Sequence, residues 1–272
     1  MNPPLEASTV DGPAGRLSVY STPKPPTDQL PVVLLHGNSM VATSWSRIVA
    51  LLPDSRQYVC PEFRGHGTSE PGNSYGAEQY ADDVLAVLDA LGVRRAHLAG
   101  GLFGGMVACV LAARAPERFV SLIAVGSALS VDIDPAQAVE MMREMGVRAF
   151  HEWQMPQALP PGSDPALLPE LIDGASNGRS FETVSAATFA AFSADVTSWA
   201  RQVSCPSLVI NGEFDPACTP AYGQQMAAEL GGSAVVMSGV GHAPMLEAPA
   251  ELAALMSEHF SAHEPLPAGT PA

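Results

Sequence analysis

The chain has 272 residues, enough to bury one large core, and length alone leaves one large domain or two small ones open. Hydrophobic residues make up 47% of it, and the net charge is −15 at pH 7, with Lys24 the only lysine. That charge argues against nucleic acid and anionic membrane as partners, and no apolar run reaches the roughly 18–20 residues of a bilayer span.

The N-terminus, MNPPLEAS, lacks the charged and apolar regions of a signal peptide. Cys60, Cys109, Cys205 and Cys218 are widely spaced and form no C-x-x-C pair. Reduced thiols in a cytoplasm are therefore expected, with no metal and no cofactor. The expected partner is a small-molecule substrate, and homodimerisation is left open. Arginine in place of lysine, with abundant Ala, Gly and Pro, is the mark of GC-rich coding, which brings natural-product intermediates into consideration as substrates.

In chain order, Thr9–Tyr20 with its DGPAG turn predicts an N-terminal hairpin. Short apolar runs follow at Val32–Leu35, Tyr58–Cys60, Ala96–Ala99, Leu122–Val125, Leu208–Ile210 and Ala234–Met237. They read as buried parallel strands. Between them, Tyr80–Leu91 predicts a helix with Val84, Leu85, Leu88 and Leu91 on one face and Asp82, Asp83 and Asp89 turned away. Gly104–Ala115 predicts a small-residue helix able to pack closely on a sheet, and Glu251–Phe260 a C-terminal helix. This alternation implies an α/β fold with a doubly wound, mostly parallel sheet and right-handed crossovers. Ser130–Asp195 breaks the alternation with helical pieces, many methionines and a proline-rich middle from Pro156 to Pro169. The expected organisation is a core of residues 1–129 and 196–262, a helical cap of residues 130–195 after the sixth strand, and a disordered tail at 263–272.

Four segments carry a resemblance. VVLLHGNSM (Val32–Met40) looks like a strand followed by an HG oxyanion loop. PEFRGHGTS (Pro61–Ser69) looks like a D-x-R-G-x-G-x-S segment with Glu62 for the aspartate. LVINGEFDPACTP (Leu208–Pro220) looks like the strand and loop of a catalytic acid, and GVGHAPMLEAP (Gly239–Pro249) like the loop of a catalytic histidine. In this order and spacing they resemble the α/β-hydrolase family over nearly the whole chain outside the cap. The resemblance implies an eight-stranded sheet, a helical cap, and a nucleophile, acid and histidine in that chain order.

The nucleophile pattern G-x-S-x-G occurs at Gly72–Gly76 and Gly174–Gly178, but neither match follows an apolar strand. Strand, sharp turn and small-residue helix come together instead at HLAGGLFGGMVACVLAA (His97–Ala113), where Gly100 and Gly104 flank Leu102. A leucine has no nucleophilic atom, so covalent catalysis from this position is impossible. The resemblance assigns Asp215 and His242 as acid and base, with Asp132 or Asp134 as the alternative acid. It places the oxyanion hole at the backbone N–H groups of Asn38 and Phe103. His36 reads as a loop anchor, and Arg64 as holding its own loop. Ser39 either contributes a hydroxyl near the hole or caps its loop. Trp45, Phe103, Trp153, Met141, Met142 and Met145 are candidates for an apolar pocket.

A base, its orienting acid and an anion-stabilising hole suit proton abstraction with charge developing on oxygen. The leading expectation is a non-covalent general-base enzyme performing lyase, elimination, cyclisation or cofactor-free oxygenation chemistry on a small apolar substrate. The alternative is a hydrolase of an ester, lactone or thioester, either using water activated by His242 or being a serine hydrolase disabled by the substitution at Leu102. A third possibility is a catalytically dead ligand-binding protein.

Overall fold

The computed structural model describes residues 4–176 and 178–265. The expected hairpin forms from β1 (Glu6–Gly12) and β2 (Gly15–Ser21), paired antiparallel from Glu6 opposite Ser21 to Gly12 opposite Gly15. β3 (Val32–Leu35), β4 (Tyr58–Pro61), β5 (Ala96–Gly101), β6 (Phe119–Val125), β7 (Ser207–Gly212) and β8 (Ser233–Met237) complete one sheet. The strand order is β1-β2-β4-β3-β5-β6-β7-β8. β2 joins β4 antiparallel, and every pairing beyond it is parallel.

Because side chains alternate along a strand, each buried strand feeds two cores. Val33, Leu35, Leu98, Leu122 and Val209 point to one face, where α2 (Ala77–Ala90), α3 (Phe103–Arg114) and α9 (Pro220–Glu229) pack. Val32, Leu34, Ala99, Ile123 and Ile210 point to the other, covered by α1 (Ser46–Leu51), α10 (Pro244–Glu247) and α11 (Pro249–Ala262). Helices on both faces are why these strands read as continuous apolar runs rather than alternating ones. Between β6 and β7 lie α4 (Pro135–Met145), α5 (Val147–Gln154), α6 (Leu167–Ser176), α7 (Phe181–Phe192) and α8 (Thr197–Ala200). Asp134 caps α4, its carboxylate accepting from the N–H groups of Ala136 and Gln137.

One helix face differs from expectation. On α2, Val84, Val87 and Leu88 are buried as its periodicity requires, but Asp83 is buried too, and Leu91 is 37% exposed. The reason is Arg64, whose Nε and Nη2 donate to the two carboxylate oxygens of Asp83 at 2.6 and 2.7 Å. A guanidinium fork from the β4–α2 loop makes an acid tolerable inside.

The segment expected to form a tail is anchored at its second residue. Glu264 accepts from the Leu30 N–H, Arg56 and His97. Residues 266–272 lie outside the described residues. No helix among the described residues is long and apolar enough to cross a membrane.

Candidate active site

A single residue, Leu102, separates β5 from α3. It has φ 53° and ψ −122°, the only positive φ at a non-glycine among the described residues. So tight a reversal forces strand and helix together. A Cβ on Gly104 would lie 2.5 Å from the Leu35 carbonyl oxygen, and one on Gly100 would collide with the Gly104 carbonyl. The turn is held by the Leu102 N–H donating to Val125 at 2.7 Å and the Gly105 N–H donating to Leu102 at 3.0 Å. The isobutyl group leans on the HG loop, where a Cβ on Gly37 would stand 3.0 Å from Leu102 Cβ and Cδ1. Neither sequence match to the serine pattern has this setting. Ser74 sits in the β4–α2 loop, and Ser176 ends α6, beside Asn177, which lies outside the described residues.

Asp215 leaves β7 on one loop and His242 follows β8 on another. The Asp215 carboxylate accepts from His242 Nδ1 through both oxygens, at 3.0 and 2.9 Å. Oδ1 also accepts from the Ala217 and Cys218 N–H groups at 2.9 and 2.8 Å, so the acid is fixed before it meets the ring. With Nδ1–H given to the carboxylate, the lone pair sits on Nε2 of a ring that lines the cavity described below. The Asp215 side chain is fully buried, whereas that of His242 keeps 20% of its surface. Glu247, which the sequence reading did not single out, brackets the histidine. Its carboxylate accepts from the Gly241 and Ala243 N–H groups, both at 2.8 Å. Burial pushes its pKa up, against those two hydrogen bonds. The spacing of Glu247 within GHAPMLE, one turn into the next helix, was the available signal.

The HG loop is organised by His36. It is fully buried, and burial pushes its pKa down to about 4, so the ring is neutral at pH 7. Nε2 accepts from the Phe63 N–H at 3.1 Å, which leaves Nδ1–H to donate to the Gly37 carbonyl at 2.8 Å. That carbonyl shares its peptide with the Asn38 N–H, so the bond polarises and orients one of the two expected oxyanion donors. The second, the Phe103 N–H, belongs to the first residue of α3 and has no intrahelical acceptor. On its other side, the Asn38 carbonyl accepts from His66 Nε2 at 2.7 Å. Arg64 holds its own loop as expected, donating to the Ser74 and Gln79 carbonyls as well as to Asp83.

A cavity of about 710 Å³ lies between these loops and the helices that follow β6. Leu102, His242, Asn38, Ser39, Phe103 and Trp153 all line it, as does Met141. Three other pocket candidates lie elsewhere. Trp45 is fully buried in the core, its ring against Gly101. Met142 is fully buried with Ala138, Phe150 and Val184 between the inserted helices, and Met145 is 40% exposed near the end of α4. Adjacent residues diverge by about 100° around a helix, so Met141 can face the cavity only if Met142 does not. Asp132 and Asp134 stand at the cavity wall, but the acid joined to His242 is Asp215.

Ligand atoms of Asp215, Cys218 and His242 lie within 4.8 Å of one another, a spacing compatible with a metal. The donor set does not fit one. The Cys218 thiol is pushed well above its ordinary pKa by burial, with Asp215 adding to the effect, and a metal needs the thiolate. His242 Nδ1 and Asp215 are already committed to each other.

Residues 32–255 match the model of the alpha/beta hydrolase family. The chain is 30% identical over 226 residues to 3-oxoadipate enol-lactonase 2 of Acinetobacter baylyi, covering 79% of this chain and 84% of that one. It is 28% identical over 271 residues to rhodomycin D methylesterase DauP of a Streptomyces species, covering 85% and 91%. Among solved structures, a thermophilic esterase of Thermogutta terrifontis superposes with a TM-score of 0.84 at 24% identity, over 96% of this chain and all 100% of that one. The enol-lactonase of Burkholderia xenovorans gives 0.83 at 23% identity, over 94% and 100%. Leu102, Asp215 and His242 all fall inside the matched segment, and the chain belongs to the alpha/beta hydrolase family.

Proposed function

We propose that this protein hydrolyses an activated ester, lactone or thioester of a small, mostly apolar molecule, with water as the direct nucleophile. The observation that carries the reading is the His242–Asp215 pair, built onto the cavity wall beside a turn whose tip, Leu102, offers no nucleophile. The matched relatives named for their reactions act on an enol-lactone and a methyl ester. They favour hydrolysis over the lyase, elimination, cyclisation or oxygenation chemistry that the residues first suggest.

In this mechanism His242 Nε2 takes a proton from water as the water oxygen bonds to the substrate carbonyl carbon. The carbonyl π pair moves to oxygen, where the N–H groups of Asn38 and Phe103 receive the charge. Asp215 holds the imidazolium that forms. Collapse of the tetrahedral intermediate expels the alkoxide, enolate or thiolate, which takes its proton from Nε2, leaving a carboxylic acid and an alcohol, enol or thiol. A constellation without its nucleophile retains about 10³–10⁴-fold acceleration over water, so the carbonyl must already be reactive.

The test compares the natural chain, His242→Ala and Leu102→Ser on p-nitrophenyl acetate and dihydrocoumarin, together with labelling by a fluorophosphonate. Turnover by the natural chain without labelling, lost in His242→Ala, is the expected result. Equal turnover in His242→Ala would overturn the reading.

A further inference from the structure

The cavity wall has a property that neither the dyad nor the fold requires. Among the described residues, no arginine or lysine lines it. Asp132 and Asp134 stand at the wall, and Gln137, Gln154 and Gln157 supply neutral amides from α4, α5 and the turn after α5. Arg179 does not line the cavity. Its guanidinium donates to the Asn38 carbonyl at 3.4 Å.

Much of the rest of the wall is apolar, with Asn38, Ser39, Ser127 and Thr219 among its polar residues. Phe103, Trp153, Phe192 and Tyr222 come from four different helices and line the same space. Aromatic faces and edges recognise other planar π-systems. Filled at the density of a protein interior, about 710 Å³ accommodates roughly 530 Å³ of ligand van der Waals volume, which is several fused rings with substituents. An anionic group on the rings of such a ligand would meet no arginine or lysine on the wall and would stand near the carboxylates of Asp132 and Asp134.

We infer that the cavity selects an uncharged, planar multi-ring molecule that presents one carbonyl to the His242 side and rejects ring-borne carboxylates. This deepens the hydrolytic reading and rests on it for the orientation of the carbonyl. The selectivity itself is a property of the wall. The glutamines suit hydroxyl and carbonyl substituents on the rings, since an amide donates and accepts without carrying charge.

Titration calorimetry on the natural chain at pH 7.5 tests this without requiring turnover. The ligands are dimethyl naphthalene-2,6-dicarboxylate, its monoacid monomethyl ester, the anthracene homologue of the diester, and dimethyl cyclohexane-1,4-dicarboxylate. The neutral naphthalene diester is expected to bind at least tenfold more tightly than the monoacid and the cyclohexane diester, and the anthracene diester more tightly still. Gln137→Arg, which adds a cation to the wall, is expected to raise affinity for the monoacid at least tenfold relative to that for the neutral diester. A monoacid that binds the natural chain as well as the diester would overturn the inference, as would equal affinity for the saturated ring. Selective binding without hydrolysis of any ester would leave the wall's selectivity standing and remove only the hydrolytic reading. Hydrolysis of p-nitrophenyl acetate without the selectivity would do the reverse.

Discussion

Asp215 and His242 meet through both carboxylate oxygens, and the acid has no freedom to turn away, because two backbone N–H groups already hold Oδ1. The ring is therefore oriented by a group that is itself oriented. Removing His242 should lower kcat/KM on a reactive ester by about 10²–10⁴, the ordinary worth of a general base. Asp215→Asn should also lower it at least about 100-fold, because an amide NH2 facing Nδ1 favours the wrong tautomer. Steady-state kinetics on p-nitrophenyl acetate check both. A loss confined to KM would contradict the role given to the pair.

Leu102 sits where a side chain costs about 1–3 kcal/mol of backbone strain. Elsewhere alanine is preferred to glycine by about 0.5–1 kcal/mol. At this turn the order should reverse, with Leu102→Gly more stable than Leu102→Ala by about 1 kcal/mol. Urea unfolding of the two variants at pH 7 measures the difference directly. An alanine variant as stable as the glycine one would show that the turn is unstrained.

The Arg64–Asp83 pair should behave as a buried ion pair. Arg64→Met alone leaves a carboxylate inside without its partner and should cost about 3–5 kcal/mol. The double variant Arg64→Met, Asp83→Leu should recover most of that loss. Chemical denaturation of the single and double variants tests this, and purely additive losses would mean that the two residues act separately.

Acid should destabilise the fold well before its exposed carboxylates titrate. Burial pushes His36, His97, His151 and His259 down to about 4, and His66 down as well. Between the ordinary histidine value near 6.5 and about 4, the unfolded chain binds protons that the folded chain refuses. The stability held above pH 6.5 is thus lost as pH falls towards 4, by up to about 1.4 kcal/mol per pH unit for each histidine. Glu62, Asp83 and Glu247, raised by burial, oppose this trend at the acid end. Urea midpoints at pH 7.5, 6.0 and 5.0 should fall steadily, and a flat profile would contradict the assignment.

Much of this molecule is legible in its sequence because its strands are buried on both faces. A run such as Val32–Leu35 has only one environment to satisfy, and the turn signals around it are strong. The dyad was legible for a different reason, since each partner sits in a short loop just after a recognisable strand. What failed depended on neighbours brought from far along the chain. Asp83 was assigned to the outside of its helix because Arg64, which makes its burial tolerable, precedes it by 19 positions. Trp45, Met142 and Met145 were candidates for the pocket, whereas the fold puts Trp45 and Met142 in packed cores and leaves Met145 exposed. The glutamines of the cavity wall carried no signal, since they line the cavity while Gln137 and Gln157 also remain exposed to solvent, as polar residues ordinarily are. Glu247 carried one in its spacing, which becomes meaningful once its two N–H donors are seen to flank His242.

The turn at Leu102 keeps its shape although its own side chain supplies no hydrogen bond to it, only apolar packing on the HG loop and the core. The constraint must come from outside the residue: from Gly100 and Gly104, which allow the approach, and from Val125, which accepts its N–H. The residue at the tip is then a passenger of the scaffold. A fold built this way can change the side chain at this one position while the cavity, the Asp215–His242 pair and the HG loop need not be rebuilt around it.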